Sequence, residues 1–176
     1  MEYVYTSSNV LSESLCDEIM NRFEEDPEKR TSDMKFKIAL ELNISMLPSW
    51  KETDTIVYNT IQTSFVDYLN HLGKTIPNFK FFEQLRDKGY TIEKFPKDFG
   101  YHLWHSDLGI YSETPPELRL VGFKMCLTDI TLKNVYETRT YRKGSILFYP
   151  ATWTYLYEIP KATQDQYTIY GFMCTQ

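Results

Sequence analysis

Tyr90-Thr91-Ile92-Glu93-Lys94-Phe95 decides the fold class, because its side chains alternate in polarity along the chain. Alternation between successive residues belongs to a strand with one buried face. The pattern returns in Leu118 to Leu127, Val135 to Tyr141, Ser145 to Tyr149, Trp153 to Ile159 and Tyr167 to Cys174. Pro96, Gly100, Pro115-Pro116, Lys143-Gly144 and Pro150 punctuate these runs as turns. Upstream, the period changes. Ser12 is placed to cap a helix on which Leu15, Cys16, Ile19, Met20 and Phe23 recur, fading at Glu24-Glu25-Asp26-Pro27. Val57, Ile61, Phe65, Tyr68, Leu69 and Leu72 form a second, stronger stripe, with Gly73 as its expected C-cap. Met34 to Trp50 follows neither period. Helices followed by a run of strands predict an α+β chain, an antiparallel jelly roll with N-terminal helices packed on one side. No repeat or linker interrupts it. Residues 1–176 are therefore expected to form one domain, helical to about residue 75 and jelly roll from about residue 89.

Composition excludes several classes. The chain has 176 residues, 42% hydrophobic and 24% charged, with net charge −5. That is an ordinary globular composition, and its sign argues against nucleic-acid binding. The apolar runs are too short to span a bilayer, so no membrane partner is expected. Met1-Glu2-Tyr3-Val4-Tyr5 lacks the basic and apolar regions of a signal peptide, so a cytoplasmic location is expected. Cys16, Cys126 and Cys174 read as reduced, mostly buried thiols. Aromatic residues make up 16% of the chain, which suits a large pleated surface.

Chemistry concentrates in Gly100-Tyr101-His102-Leu103-Trp104-His105-Ser106-Asp107. In an extended strand His105 and Asp107 point to one side. An imidazole and a carboxylate on one face are two thirds of the facial triad that holds non-haem Fe(II). The same spacing fits a plain hydrogen-bonded pair. His102, an odd number of residues away, is expected to face opposite unless a bulge at Gly100 turns it inward as a substitute ligand.

These segments, in this order, resemble the 2-oxoglutarate/Fe(II)-dependent oxygenase superfamily, in its prolyl-4-hydroxylase-like branch and the small members encoded by marine phages. The first helix, Lys37 with Glu41-Leu42, Gly89 to Phe95, and Trp104-His105-Ser106-Asp107 carry the resemblance. So do Arg119 to Asp129, Lys143-Gly144-Ser145-Ile146-Leu147-Phe148-Tyr149-Pro150-Ala151 and Tyr167 to Phe172. The implied fold is a double-stranded β-helix, with His105 and Asp107 as iron ligands. The resemblance also implies a third histidine ligand and, about ten residues later, a cation for the far carboxylate of 2-oxoglutarate. Here Tyr157 stands at the ligand position, and no histidine follows His105. Gln166 stands at the anchor position, with Thr168 as the accompanying hydroxyl. The route from Asp129 to Arg142 also lacks the family's Gly-Gly-x-Thr-type segment.

A phenol must lose its proton against a pKa of about 10 before it can ligate iron. A neutral amide cannot balance a buried carboxylate. The expectation is therefore a pseudoenzyme, with weak or no binding of Fe(II) and 2-oxoglutarate, acting as a binding or assembly module such as a virion component. The alternative is an active hydroxylase with an altered triad. Tyr136, Tyr141, Tyr149, Tyr155, Tyr157, Tyr167 and Tyr170 crowd the last third. A tyrosine-rich sheet surface is the expected contact for protein partners. Trp104 and Trp153 are expected in the core, His71 at a helix end, and Lys74, Lys80, Arg86, Lys88, Lys94 and Lys97 in solvent.

Overall fold

The change of period is a change from helix to sheet in the computed structural model, which describes residues 3–34, 36–76, 84–113 and 116–175. Met1-Glu2, Lys80 and Pro115 lie outside the described residues. Helix α1 (Glu13–Glu25) starts where Ser12 Oγ accepts the Leu15 amide, and it buries Cys16, Ile19 and Phe23. Helix α2 (Lys51–Thr75) buries Val57, Ile61, Phe65, Tyr68 and Leu72 along its stripe. Gly73 does not end it. The helix continues to Thr75, and the Ile76 amide closes it on the Leu72 carbonyl.

The strands are β1 (Tyr5–Ser7), β2 (Arg30–Met34), β3 (Lys37–Asn43), β4 (Arg86–Asp87), β5 (Thr91–Phe95), β6 (Tyr101–His105) and β7 (Ile110–Glu113). They continue as β8 (Pro116–Cys126), β9 (Ile130–Asn134), β10 (Thr138–Tyr141), β11 (Ile146–Pro150), β12 (Tyr157–Ile159) and β13 (Gln166–Cys174). Pairing runs β1-β11-β8-β13-β5-β3-β6-β12-β9-β10, with β2 on β3, β4 on β13 and β7 on β8. The sheet is antiparallel and curls on itself. β11, β8, β13 and β5 form one wall, β6, β12, β9 and β10 the other, and β3 joins them by pairing with β5 and β6. This is the jelly roll expected from the strand run, in the double-stranded β-helix form that the resemblance implies.

The N-terminal part is not purely helical, because β1, β2 and β3 lie within it. β3 hid its period because it is buried on both faces. Ala39 enters the cluster inside the curl, while Leu42 enters the cluster under the helices. Val135 to Glu137 is the turn of the β9–β10 hairpin rather than strand. Asn134 Oδ1 holds that turn by accepting the Tyr136 and Glu137 amides.

Two cores follow from the alternation. Val121, Phe123, Met125, Ile146, Phe148 and Ile169 face the helices. Residues of the opposite parity face the interior of the curl, among them Phe95, Cys126, Leu147, Tyr149, Tyr157 and Ile159. The expected outward tyrosine face is corrected here. Tyr141, Tyr149, Tyr155, Tyr157 and Tyr167 are all buried, and of the seven only Tyr136 is largely exposed. Tyr141, Tyr149, Tyr155 and Tyr157 pack inside the curl, and Tyr167 packs in the cluster under the helices. Trp104 and Trp153 are exposed, contrary to expectation. Trp104 is on the outer face of β6, where Lys133 lies over its ring, and Trp153 is in the β11–β12 loop. Trp50 is the buried tryptophan, its indole N–H donating to Asp26. His71 packs against the ring of Tyr5. All three cysteines are free and buried. Among the described residues, no helix is long and apolar enough to cross a membrane.

Candidate functional site

β6 and β12 pair so that Tyr157 stands opposite His105, while on its other side Tyr157 pairs with Asn134 of β9. Tyr157 Oη donates to Asp107 Oδ2 at 2.8 Å, and Tyr149 Oη, from β11, donates to the same oxygen at 2.7 Å. Both rings are buried. Burial, reinforced by the Asp107 charge, pushes both phenols well above the ordinary tyrosine value. Both therefore remain protonated donors, and the carboxylate is stabilised by charge-assisted hydrogen bonds.

His105 Nδ1 lies 2.7 Å from the Leu103 carbonyl, which assigns the proton to Nδ1 and leaves the Nε2 lone pair directed inward. Nε2 is 4.0 Å from Asp107 Oδ1. Burial lowers the imidazole pKa against the opposing pull of Leu103 and Asp107, so the ring is neutral at pH 7. Tyr101 stacks on it at 3.8 Å between ring centres.

His105, Asp107 and Tyr157 thus meet at one corner of the curl, but as a donor set they do not fit a three-ligand iron site. The third member is a neutral phenol already aimed at the second. Among the described residues, no group of three or more His, Cys, Asp or Glu side chains is placed to hold a metal ion. His102 is exposed and its amide donates to the Phe36 carbonyl, so it does not replace the missing ligand.

Gln166 and Thr168 do not fit the far carboxylate of 2-oxoglutarate. They line a small recess of about 10 Å³ with Glu93, Lys124 and apolar neighbours, a space of roughly one water molecule. Gln166 Oε1 and Thr168 Oγ1 are buried there without a hydrogen-bond partner among the described residues. The larger cavity, about 310 Å³, lies on the other side of Glu93 and Lys124 and reaches His105, Asp107 and Tyr157.

Sequence reading missed three residues of this cavity wall, Lys37, Glu93 and Lys124, and also Tyr149, which reaches Asp107 from β11. A signal existed for two of them. Glu93 and Lys124 share strand parity with the buried Phe95 and Cys126, so each charge falls on an interior position. Lys88 also lines the cavity, paired with Glu117 at 2.7 Å. Lys94 is held between Glu24 and Asp165 rather than left in solvent.

No protein-family model and no curated protein matches the sequence. The strand order and the helices on one wall give the chain the fold of the 2-oxoglutarate/Fe(II)-dependent oxygenases in its prolyl-4-hydroxylase-like form. Solved structures share it. A viral collagen prolyl hydroxylase from Paramecium bursaria Chlorella virus-1, in complex with 2-oxoglutarate, is 14% identical, with TM-score 0.67 over 99% of this chain and 97% of that one. A prolyl hydroxylase from Trichoplax adhaerens, bound to a hypoxia-inducible factor peptide fragment, is 10% identical, with TM-score 0.72 over 98% and 84%. A prolyl-4-hydroxylase from Pseudomonas putida is 11% identical, with TM-score 0.66 over 98% and 92%. Identities this low establish the fold alone.

Proposed function

We propose that this chain is a non-catalytic form of the oxygenase fold that works as a protein-binding or assembly module. One observation carries the reading: the third-ligand corner holds a buried, protonated phenol, Tyr157, which together with Tyr149 donates to Asp107 Oδ2 instead of offering a third metal-binding lone pair. Residues that replace a ligand and also cap its neighbour make a stable polar corner that needs no ion. Exposed apolar side chains support a partner surface. Leu103 and Trp104 precede His105, Leu156 precedes Tyr157, and Val135 and Tyr136 follow Asn134. The Tyr157 pairings bring these three strand ends together, and Trp153 stands in the adjoining loop. An exposed aromatic and aliphatic group of this kind suits a protein contact better than solvent. The resemblance to phage-encoded members favours a virion component as the assembly in question.

The test is anaerobic Fe(II) titration together with succinate formation from 2-oxoglutarate. The expected result is no binding at micromolar Fe(II) and no succinate above the uncatalysed background. Stoichiometric iron with turnover would overturn the reading. One observation favours the alternative of a retained hydroxylase: His105 Nε2 is unprotonated and directed inward, as a metal ligand would be. The same titration decides between the two.

A further inference from the structure

Inside the curl, three strands from distant parts of the chain bring charges to one point. Glu93 of β5 is 2% exposed. Lys37 Nζ, from β3, stands 2.6 Å from its Oε1, and Lys124 Nζ, from β8, stands 3.8 Å from its Oε2. Each carboxylate oxygen therefore faces its own ammonium group. Lys124 is 4% exposed, and the rings of Tyr157 and Tyr170 lie over it at 5.9 and 5.1 Å. Lys37 carries a second partner, Glu41. Burial alone would lower the Lys37 pKa, but the Glu93 and Glu41 charges outweigh it and raise it above the ordinary lysine value.

This cluster is part of a cavity wall and not a sealed core. Lys37, Glu93 and Lys124 line the same 310 Å³ cavity as His105 and Asp107. That volume is at the lower edge of the roughly 300–1,000 Å³ of small-molecule sites. Two ammonium groups bracketing one carboxylate, beside aromatic faces and open volume, form a site for an organic acid. The carboxylate found there belongs to the protein.

We propose that Lys37 and Lys124 form a carboxylate-binding site and that Glu93 is its resident, intramolecular ligand. A tethered carboxylate competes at high effective concentration. A free dicarboxylate entering the cavity also meets the negative charges of Glu93 and Asp107. The native chain therefore takes short dicarboxylates poorly. Neutralising Glu93 leaves two ammonium groups without their shared counter-ion, and a small carboxylate from solution takes its place. The inference deepens the non-catalytic reading above and rests on it, with Gln166 and Thr168 offering no charge for the far carboxylate of 2-oxoglutarate. Iron at His105 and Asp107 neither requires nor forbids it, so the iron titration and the following experiment fail independently.

The experiment titrates succinate into the native chain, Glu93→Gln and the double variant Glu93→Gln/Lys124→Gln by calorimetry, with circular dichroism reporting the fold. Glu93→Gln is expected to bind one succinate at least about tenfold more tightly than the native chain, and the double variant to lose that gain. The proposal is overturned if folded Glu93→Gln binds no more tightly than native, or if the double variant binds as well as the single one. Should Glu93→Gln be unfolded in plain buffer, the folded fraction is read against succinate concentration. Succinate-driven refolding supports the site, and its absence overturns it.

Discussion

Tyr157 stands directly opposite His105 in the β6–β12 pairing and hydrogen-bonds Asp107 at 2.8 Å. One side chain thus stands at the position expected for a third ligand and engages Asp107, the one expected as the second. Tyr149 repeats the second role from β11 at 2.7 Å. The corner is held by two walls of the curl.

Tyr157→His leaves Asp107 Oδ1 open beside His105, with Tyr149 still donating to Oδ2. Tyr149→Phe removes that donor and keeps the ring that fills the space. In Tyr157→His, Tyr149 acts as the outer hydrogen-bond partner of a ligating carboxylate, so the double variant Tyr149→Phe/Tyr157→His is expected to bind Ni(II) or anaerobic Fe(II) about tenfold or more weakly than Tyr157→His alone. Calorimetric titration of both variants checks it. Equal affinities would show that Tyr149 does not restrain the carboxylate.

The fold was legible because the change of period at Tyr90 survives in three dimensions, and because Ser12 caps α1 as its side chain dictates. The resemblance puts Tyr157 at the third-ligand position, and the β6–β12 pairing sets it opposite His105. β3 was not, since Ala39 and Leu42 are buried on opposite faces and leave no alternation to read. Nor was the direction of the tyrosines, because a phenol suits a solvated strand and a polar interior equally, and only Asp107 inside the curl decides between them. Strand parity puts Glu93 and Lys124 on interior positions but does not say what they meet there. Their meaning depends on Lys37, which arrives from residues far away in sequence.

Lys94 sets an acid limit on stability. Its ammonium bridges Glu24, at the end of α1, and Asp165, just before β13, at 2.8 and 2.9 Å. Burial acts to raise Glu24, but hydrogen bonds from Lys94 and Tyr167 outweigh it and the pKa is lowered. The Lys94 hydrogen bond lowers Asp165 as well. Folded values below the unfolded ones contribute stability above the unfolded pKa, which is lost as pH falls through the folded values. The urea midpoint should drop as pH falls below about 4. Lys94→Gln should flatten that drop, and at pH 7 should cost only about 1 kcal/mol or less, because both carboxylates are largely solvated. An acid limb identical in the two chains would remove Lys94 as its source.

Gly122 is the position on which the tyrosine corner rests. It pairs with Tyr149 across β8 and β11, and the phenol ring lies over it. A Cβ at Gly122 would meet the ring at 2.6 Å and the hydroxyl oxygen at 2.8 Å. No real contact is that short, so the ring of Gly122→Ala must move, and its hydroxyl must move away from its place on Asp107. The expected cost is about 1–3 kcal/mol, the range for overpacking a filled interior. With Tyr149→Ala the ring is gone and the added methyl meets open space, so Gly122→Ala should cost much less in that background. Urea unfolding of the two single variants and the double one measures the difference. Agreement with simple additivity to within about 0.5 kcal/mol would mean that the glycine and the tyrosine act separately, and that Tyr149 is held on Asp107 by something other than the absence of a side chain beneath it.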